Sequence, residues 1–101
     1  MDLTGRTALV TGGSGDIGAA ISMALANLGA NVLVHTYQNL KAAKLVVEGI
    51  KKLGKNAKIL QANLLKQEEV FRMSDEILSM GSLDIIVKNA GTAINRVPWE
   101  E

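Results

Sequence analysis

Thr11-Gly12-Gly13-Ser14-Gly15-Asp16-Ile17-Gly18 stands between a short apolar run and a longer stretch of helical spacing, and that placement decides how the chain folds. Before it, Arg6-Thr7-Ala8-Leu9-Val10-Thr11 is rich in β-formers and stops at the glycines, which predicts a buried first strand. After it, Ile17, Ala20, Ile21, Ala24, Leu25 and Leu28 recur at three and four residues, predicting the inward face of a helix that Gly29 ends. A loop joining strand to helix in this way aims main-chain N–H groups and the positive end of the helix dipole at one place. A pyrophosphate is suited to that place. Glycine is required because a Cβ would block the turn or the approach of the anion. Gly13 to Gly18 also satisfies the bare G-x-G-x-x-G pattern, which is weak alone and gains weight from the strand before and the helix after. The plain alternative is a tight turn with no ligand.

Outward from the loop the same alternation continues. Asn31-Val32-Leu33-Val34-His35-Thr36 reads as a second strand. Leu40 to Leu53 reads as a helix with Ala42, Leu45, Val46, Ile50 and Leu53 inward and Lys41, Lys44, Glu48, Lys51 and Lys52 in solvent; Gly54 ends it. Ala57 to Ala62 is a third strand, and Lys66 to Met80 a third helix with Val70, Phe71, Ser74, Ile77 and Leu78 inward, closed by Gly81. Leu83-Asp84-Ile85-Ile86-Val87 is a fourth strand that runs into Asn89-Ala90-Gly91. Strands alternating with helices predict parallel pairing through right-handed crossovers. If the fourth strand returns beside the first, the order is 3-2-1-4. The first two helices then cover one face and the third the other, giving a three-layer α/β/α arrangement in one domain over residues 1–101. The crevice between strands one and four, at their carboxyl ends, is where such sheets take ligands.

Composition narrows the possibilities. Of 101 residues 48% are hydrophobic, so a core can form. Eleven Lys and Arg against ten Asp and Glu give a net charge of +1, which argues against a general electrostatic grip on nucleic acid or an anionic membrane. The lysines of the second helix fall on its solvent side, the ordinary place for them. There is no cysteine and one histidine, His35, so neither a disulfide framework nor a metal cluster is expected. His35 is expected as a strand-end residue rather than a catalyst. No apolar run approaches the about 18 residues that cross a bilayer, and no signal peptide is apparent at Met1-Asp2-Leu3-Thr4. The expectation is a soluble, cytoplasmic protein.

Taken together, Thr11-Gly12 with Ile17-Gly18, Gly81-Ser82-Leu83-Asp84 and Asn89-Ala90-Gly91, with the spacing between them, resemble the short-chain dehydrogenase/reductase family. The likeness is strongest to its 3-oxoacyl-carrier-protein reductase branch, and it covers nearly the whole chain. It implies a Rossmann-type fold that binds NAD(P), with the Asn-Ala-Gly turn beside the cofactor's ribose. It also implies cofactor contacts at Gly12, Ser14, Gly15, Asp16, Ile17, Gly18, Thr36, Tyr37, Asn63, Leu64, Asn89, Ala90 and Gly91. The family's catalytic Ser and Tyr-x-x-x-Lys follow the Asn-Ala-Gly turn, so no catalytic residue is expected before Glu101. Tyr37 and Lys41 form such a string, but at the end of strand two, on the adenine side.

Three departures bear on the site. Asp16 stands where the common family pattern has glycine, although Gly12, Gly15 and Gly18 fit the spacing of the extended branch. A carboxylate near a diphosphate costs affinity unless it points away or caps the helix, and the cap is the expectation here. Lys88 replaces the first Asn of the family's Asn-Asn-Ala-Gly, placing a charge either toward a phosphate or ribose or at a bare sheet edge. Asn63-Leu64 replaces the family's usual Asp near the adenine ring. The end of strand two, His35-Thr36-Tyr37-Gln38-Asn39, has no carboxylate to take a ribose 2′-hydroxyl, which favours NADP(H) over NAD(H). Against that, Gly15 occupies the place where NADP-preferring relatives often have arginine.

Strand four is apolar on both sides, as a central parallel strand should be. The sequence ends before a fifth strand, so an open edge is expected, covered by a second copy or by another chain. Three readings follow: part of a reductase, a non-catalytic nucleotide-binding or regulatory subunit, or a remnant that binds nothing.

Overall fold

The computed structural model of the chain describes residues 1–89. Ala90 and Gly91, and the stretch from Thr92 to Glu101 with Pro98 and Trp99, lie outside the described residues. The described residues form β1 (Thr7–Thr11), α1 (Asp16–Asn27), β2 (Asn31–Thr36), α2 (Leu40–Lys52), β3 (Ala57–Gln61), α3 (Gln67–Ser79) and β4 (Ile85–Lys88). The four strands make one parallel sheet in the order β3-β2-β1-β4, as the alternation predicts. Val10 of the central β1 lies opposite Val34 on one side and Val87 on the other.

Side chains alternate across a strand, so one sheet feeds two cores. Ala8, Val10, Val32 and Val34 face α1 and α2, packing with Ala26, Ala43, Val47 and Ile50. Leu9, Leu33 and Leu60 face the opposite way, against Val70, Met73 and Ile77 of α3. Each fully buried Val, Leu or Ile contributes about 1.5–3 kcal/mol relative to exposure, so these two layers hold the fold. The first two helices therefore share a face and the third lies on the other, which is the three-layer arrangement expected.

The helices are turned relative to the faces expected from their large apolar residues. α1 buries Gly18, Ser22 and Ala26, spaced four apart, while Ile21 and Leu25 are partly buried. Ile17 is 68% exposed, and Ala20 and Ala24 face solvent. Small side chains let α1 lie close to the sheet, so the stripe that touches it is the least bulky one. In α2 the buried residues are Ala43, Val47 and Ile50; Ala42 and Val46 are partly buried, and Leu45 and Leu53 are exposed. In α3 Met73 joins Val70, Ser74 and Ile77 inside, while Phe71 and Leu78 are 45% and 60% exposed.

The strand ends opposite the glycine loop are tied together by Asp84. Its carboxylate accepts from the Thr7 amide at 2.9 Å and pairs with Arg6 at 3.6 Å, while its own amide donates to Thr7 O. Sequence alone placed Leu83 and Asp84 inside the fourth strand; the strand opens at Ile85, and Asp84 serves as the clamp that sets its register on β1.

Candidate functional site

The site lies at the carboxyl ends of the strands, where β1 passes into residues 12–15 and then α1. Gly12 has φ of +64°, a conformation that favours glycine. Its amide donates to His35 Nδ1 at 2.9 Å, and the Gly13 amide donates to His35 O at 2.9 Å. Gly15 donates back to Gly12 O at 3.3 Å and forms the N-cap of α1. The next three amides, those of Asp16, Ile17 and Gly18, begin the helix and have no carbonyl one turn earlier within it. They and the dipole behind them are the groups an anion would meet.

Close approach explains the glycine at 18. A Cβ there would collide with Gly12 O and would lie 2.8 Å from Gly13 Cα and 2.9 Å from Asn89 Nδ2. The last contact brings in the second bend. Asn89 donates from Nδ2 to Gly12 O at 3.2 Å and from its amide to Thr11 Oγ1 at 2.9 Å, while Thr11 Oγ1 donates to Val87 O at 3.3 Å. The glycine loop and the end of β4 are thus adjacent. Ala90 and Gly91, expected beside them, lie outside the described residues. Among the described residues, a Cβ on Gly15 would meet only Gly12 O, at 3.7 Å.

The end of β2 is woven into the same structure. Ser14 Oγ lies 3.1 Å from Thr36 Oγ1, which also accepts from the Asn39 amide at 3.2 Å. Thr36 is buried, whereas Tyr37 is exposed. Gln61 Nε2 donates to Tyr37 O, and the Arg72 guanidinium donates to Gln61 O at 2.7 Å. Asn63 uses its Oδ1 to accept from Leu65 N, and its amide donates to Glu69 Oε1. Leu64 points into the core beneath α3.

Asp16 departs from expectation. It is the first helical residue rather than the cap, and no side chain caps α1. Its exposed carboxylate complements the dipole without a capping bond, because Gly15 holds the N-cap position. Lys88 lies opposite Thr11 and is exposed.

His35 has a larger structural role than its place at a strand end suggests. It is buried, accepts from Gly12 at Nδ1, and has Nε2 2.9 Å from Ala62 O. Burial holds its pKa below the usual histidine value, against the opposing effect of the bond to Ala62. Because Nδ1 accepts, the ring proton lies on Nε2 and is donated to Ala62. No sequence signal pairs residue 35 with residues 12 and 62; only the register of three strands does. Among the described residues no group of His, Cys, Asp and Glu is placed to hold a metal ion, and no helix is long and apolar enough to cross a membrane.

Residues 6–101 match the family model for short chain dehydrogenases. The chain belongs to that family. Among curated short-chain dehydrogenases and reductases, it is 43% identical over 100 residues to the hydroxynaphthalene reductase-like protein Arp2 of Metarhizium robertsii, covering 98% of this chain and 37% of that protein. A solved dehydrogenase/reductase from Sinorhizobium meliloti 1021 superposes with a TM-score of 0.84 at 38% identity, over 89% of this chain and 36% of that one. A 3-oxoacyl (acyl-carrier-protein) reductase from Agrobacterium tumefaciens C58, with NADP bound, superposes with a TM-score of 0.82 at 36% identity, over 94% and 36% of the two chains. The chain therefore spans well under half the length of these relatives. The motifs that carried the resemblance fall in the matched region.

Proposed function

We propose that residues 1–101 form the dinucleotide-binding portion of a short-chain dehydrogenase/reductase that moves hydride between NADP(H) and a carbonyl or alcohol. The observation that carries this reading is the Asn89–Gly12 bond, which sets the glycine loop beside the end of β4 at the head of α1. The space that the described residues leave beside Gly15 and the forward amides of α1 fit a diphosphate. Gly12, Ser14, Gly15, Asp16, Ile17 and Gly18 would surround the diphosphate side. Thr36 and Tyr37 would border the adenosine ribose, Asn63 and the main chain of Leu64 the adenine, and Asn89 with Ala90 and Gly91 the second ribose. When bound, the nicotinamide ring supplies the hydride. In the family's pattern, the proton transfer that accompanies it falls to residues beyond the Asn-Ala-Gly turn.

NADP(H) is the preferred form in this reading. From His35 to Asn39 no carboxylate is present to bond a ribose 2′-hydroxyl or repel a 2′-phosphate. The NADP in the Agrobacterium tumefaciens structure agrees. A 3-oxoacyl thioester or a hydroxynaphthalene is the substrate class suggested by the relatives' names. We also place the protein in the cytoplasm and expect the half-buried β4 edge to be covered by a second copy or a partner chain. Titrating the chain with NADPH and following cofactor fluorescence tests the reading. Saturable binding, tighter for NADPH than for NADH, is expected; no binding of either overturns it.

A further inference from the structure

We propose that His35 is a positioning residue of the dinucleotide site: its neutral ring braces the glycine loop against the end of β3, and protonation of the ring releases the loop. The proposal rests on the dinucleotide reading only for its effect on affinity. The geometry stands apart from it. One ring bridges two elements, accepting from the Gly12 amide at 2.9 Å and meeting Ala62 O at 2.9 Å. The backbone of the same residue accepts from Gly13. Gly12 in turn carries the carbonyl that Asn89 and Gly15 hold. A proton on Nδ1 would set an N–H against the Gly12 N–H, two donors face to face in a buried place. The bond to Ala62 survives that change, so the strain falls on the loop.

The charged and titratable groups on the surrounding elements do not take over this role. Asp16 opens α1 and Lys88 ends β4; Tyr37 follows on β2, and Lys58 lies on β3. Glu69 and Arg72 of α3 bond to Asn63 N and Gln61 O, and Lys66 caps α3. None of them is among the causes acting on His35, which are burial and the Ala62 carbonyl.

The test uses NAD, which lacks the 2′-phosphate whose own titration near pH 6 would confuse the result. Calorimetric titration of the chain from pH 7.5 down to the acid limit of the folded state is expected to show full affinity above pH 6.5 and a fall of about twofold by the midpoint of the ring's own titration. In His35→Asn, whose Oδ1 keeps an acceptor facing Gly12 but does not titrate, the profile is expected to be flat. A merely structural role would weaken NAD equally at every pH. Amide and ring ¹⁵N NMR of the native chain gives a readout free of ligand. The proton is expected on Nε2, and the Gly12 amide resonance should follow the ring's titration. If neither NAD nor NADPH binds at any pH, the dinucleotide reading fails while the spectra still decide the role of His35. An acid limb that persists in His35→Asn, a ring proton found on Nδ1, or a Gly12 amide that ignores the titration overturns the proposal.

Discussion

Among the described residues two serines are buried on helices, and replacing each with alanine should move stability in opposite directions. Ser74 on α3 donates its hydroxyl to Val70 O at 2.8 Å. Ser22 on α1 is fully buried, and its Oγ has no hydrogen-bond partner among the described residues. It sits close to the loop: a Cβ on Gly13 would lie 3.4 Å from Ser22 Oγ. Leaving a buried hydroxyl unsatisfied costs about 1–3 kcal/mol, and alanine adds about 0.5 kcal/mol of helix propensity over serine. Against this stands the loss of one oxygen's packing, which takes back part of the gain. Ser22→Ala is therefore expected to stabilise by about 1–2 kcal/mol, or roughly 4–8 °C in Tm for each kcal/mol in a domain of this size. Ser74→Ala loses a made bond and is expected to cost up to about 1 kcal/mol. Urea unfolding followed by far-UV circular dichroism measures both. A destabilised Ser22→Ala would mean that its hydroxyl has a partner after all, and would refute the reasoning.

Further predictions follow from the same contacts. Gly18→Ala drives a methyl into Gly12 O and is expected to destabilise by about 1–3 kcal/mol despite its better helix propensity, with NADPH binding lost; unfolding curves and cofactor fluorescence read the two effects. Asp84→Ala removes the acceptor for Thr7 N and is expected to cost about 1–2 kcal/mol, mostly from that bond because Arg6 is largely exposed; urea midpoints check it. His35 has a folded pKa below the ordinary 6.5, so the unfolded chain binds more protons there. Stability is then whole above pH 6.5 and falls as pH drops from 6.5 toward the folded value. Thermal melts across that window should show a slope that His35→Asn flattens. Light scattering at tens of micromolar is expected to find self-association through β4, the outer strand of the sheet among the described residues, and a strict monomer would count against it.

Strand positions and sheet order were legible because parallel strands buried on both faces leave short apolar runs, and glycines mark the helix ends. Helix faces were less so. Counting large apolar residues chose Phe71 and Leu78 for α3 and Leu45 for α2, all of which face outward. On α1 the sheet is touched by Gly18, Ser22 and Ala26, which a search for bulk passes over. Within the site, the glycine turn could be read because the positive φ at Gly12 and the close approach at Gly18 demand glycine, whereas Asn89 was singled out by the family resemblance alone. The brace at His35 and the clamp at Asp84 join positions many residues apart, and only the folded register brings them together.

The most direct test of the account is a two-dimensional amide NMR spectrum of the ¹⁵N-labelled chain titrated with NADPH. The account predicts that the largest shifts fall on the amides of Ser14, Asp16, Ile17 and Gly18, with Asn89 moving in step at the same concentrations. Saturable shifts confined to other parts of the chain, with those amides unmoved, would contradict it.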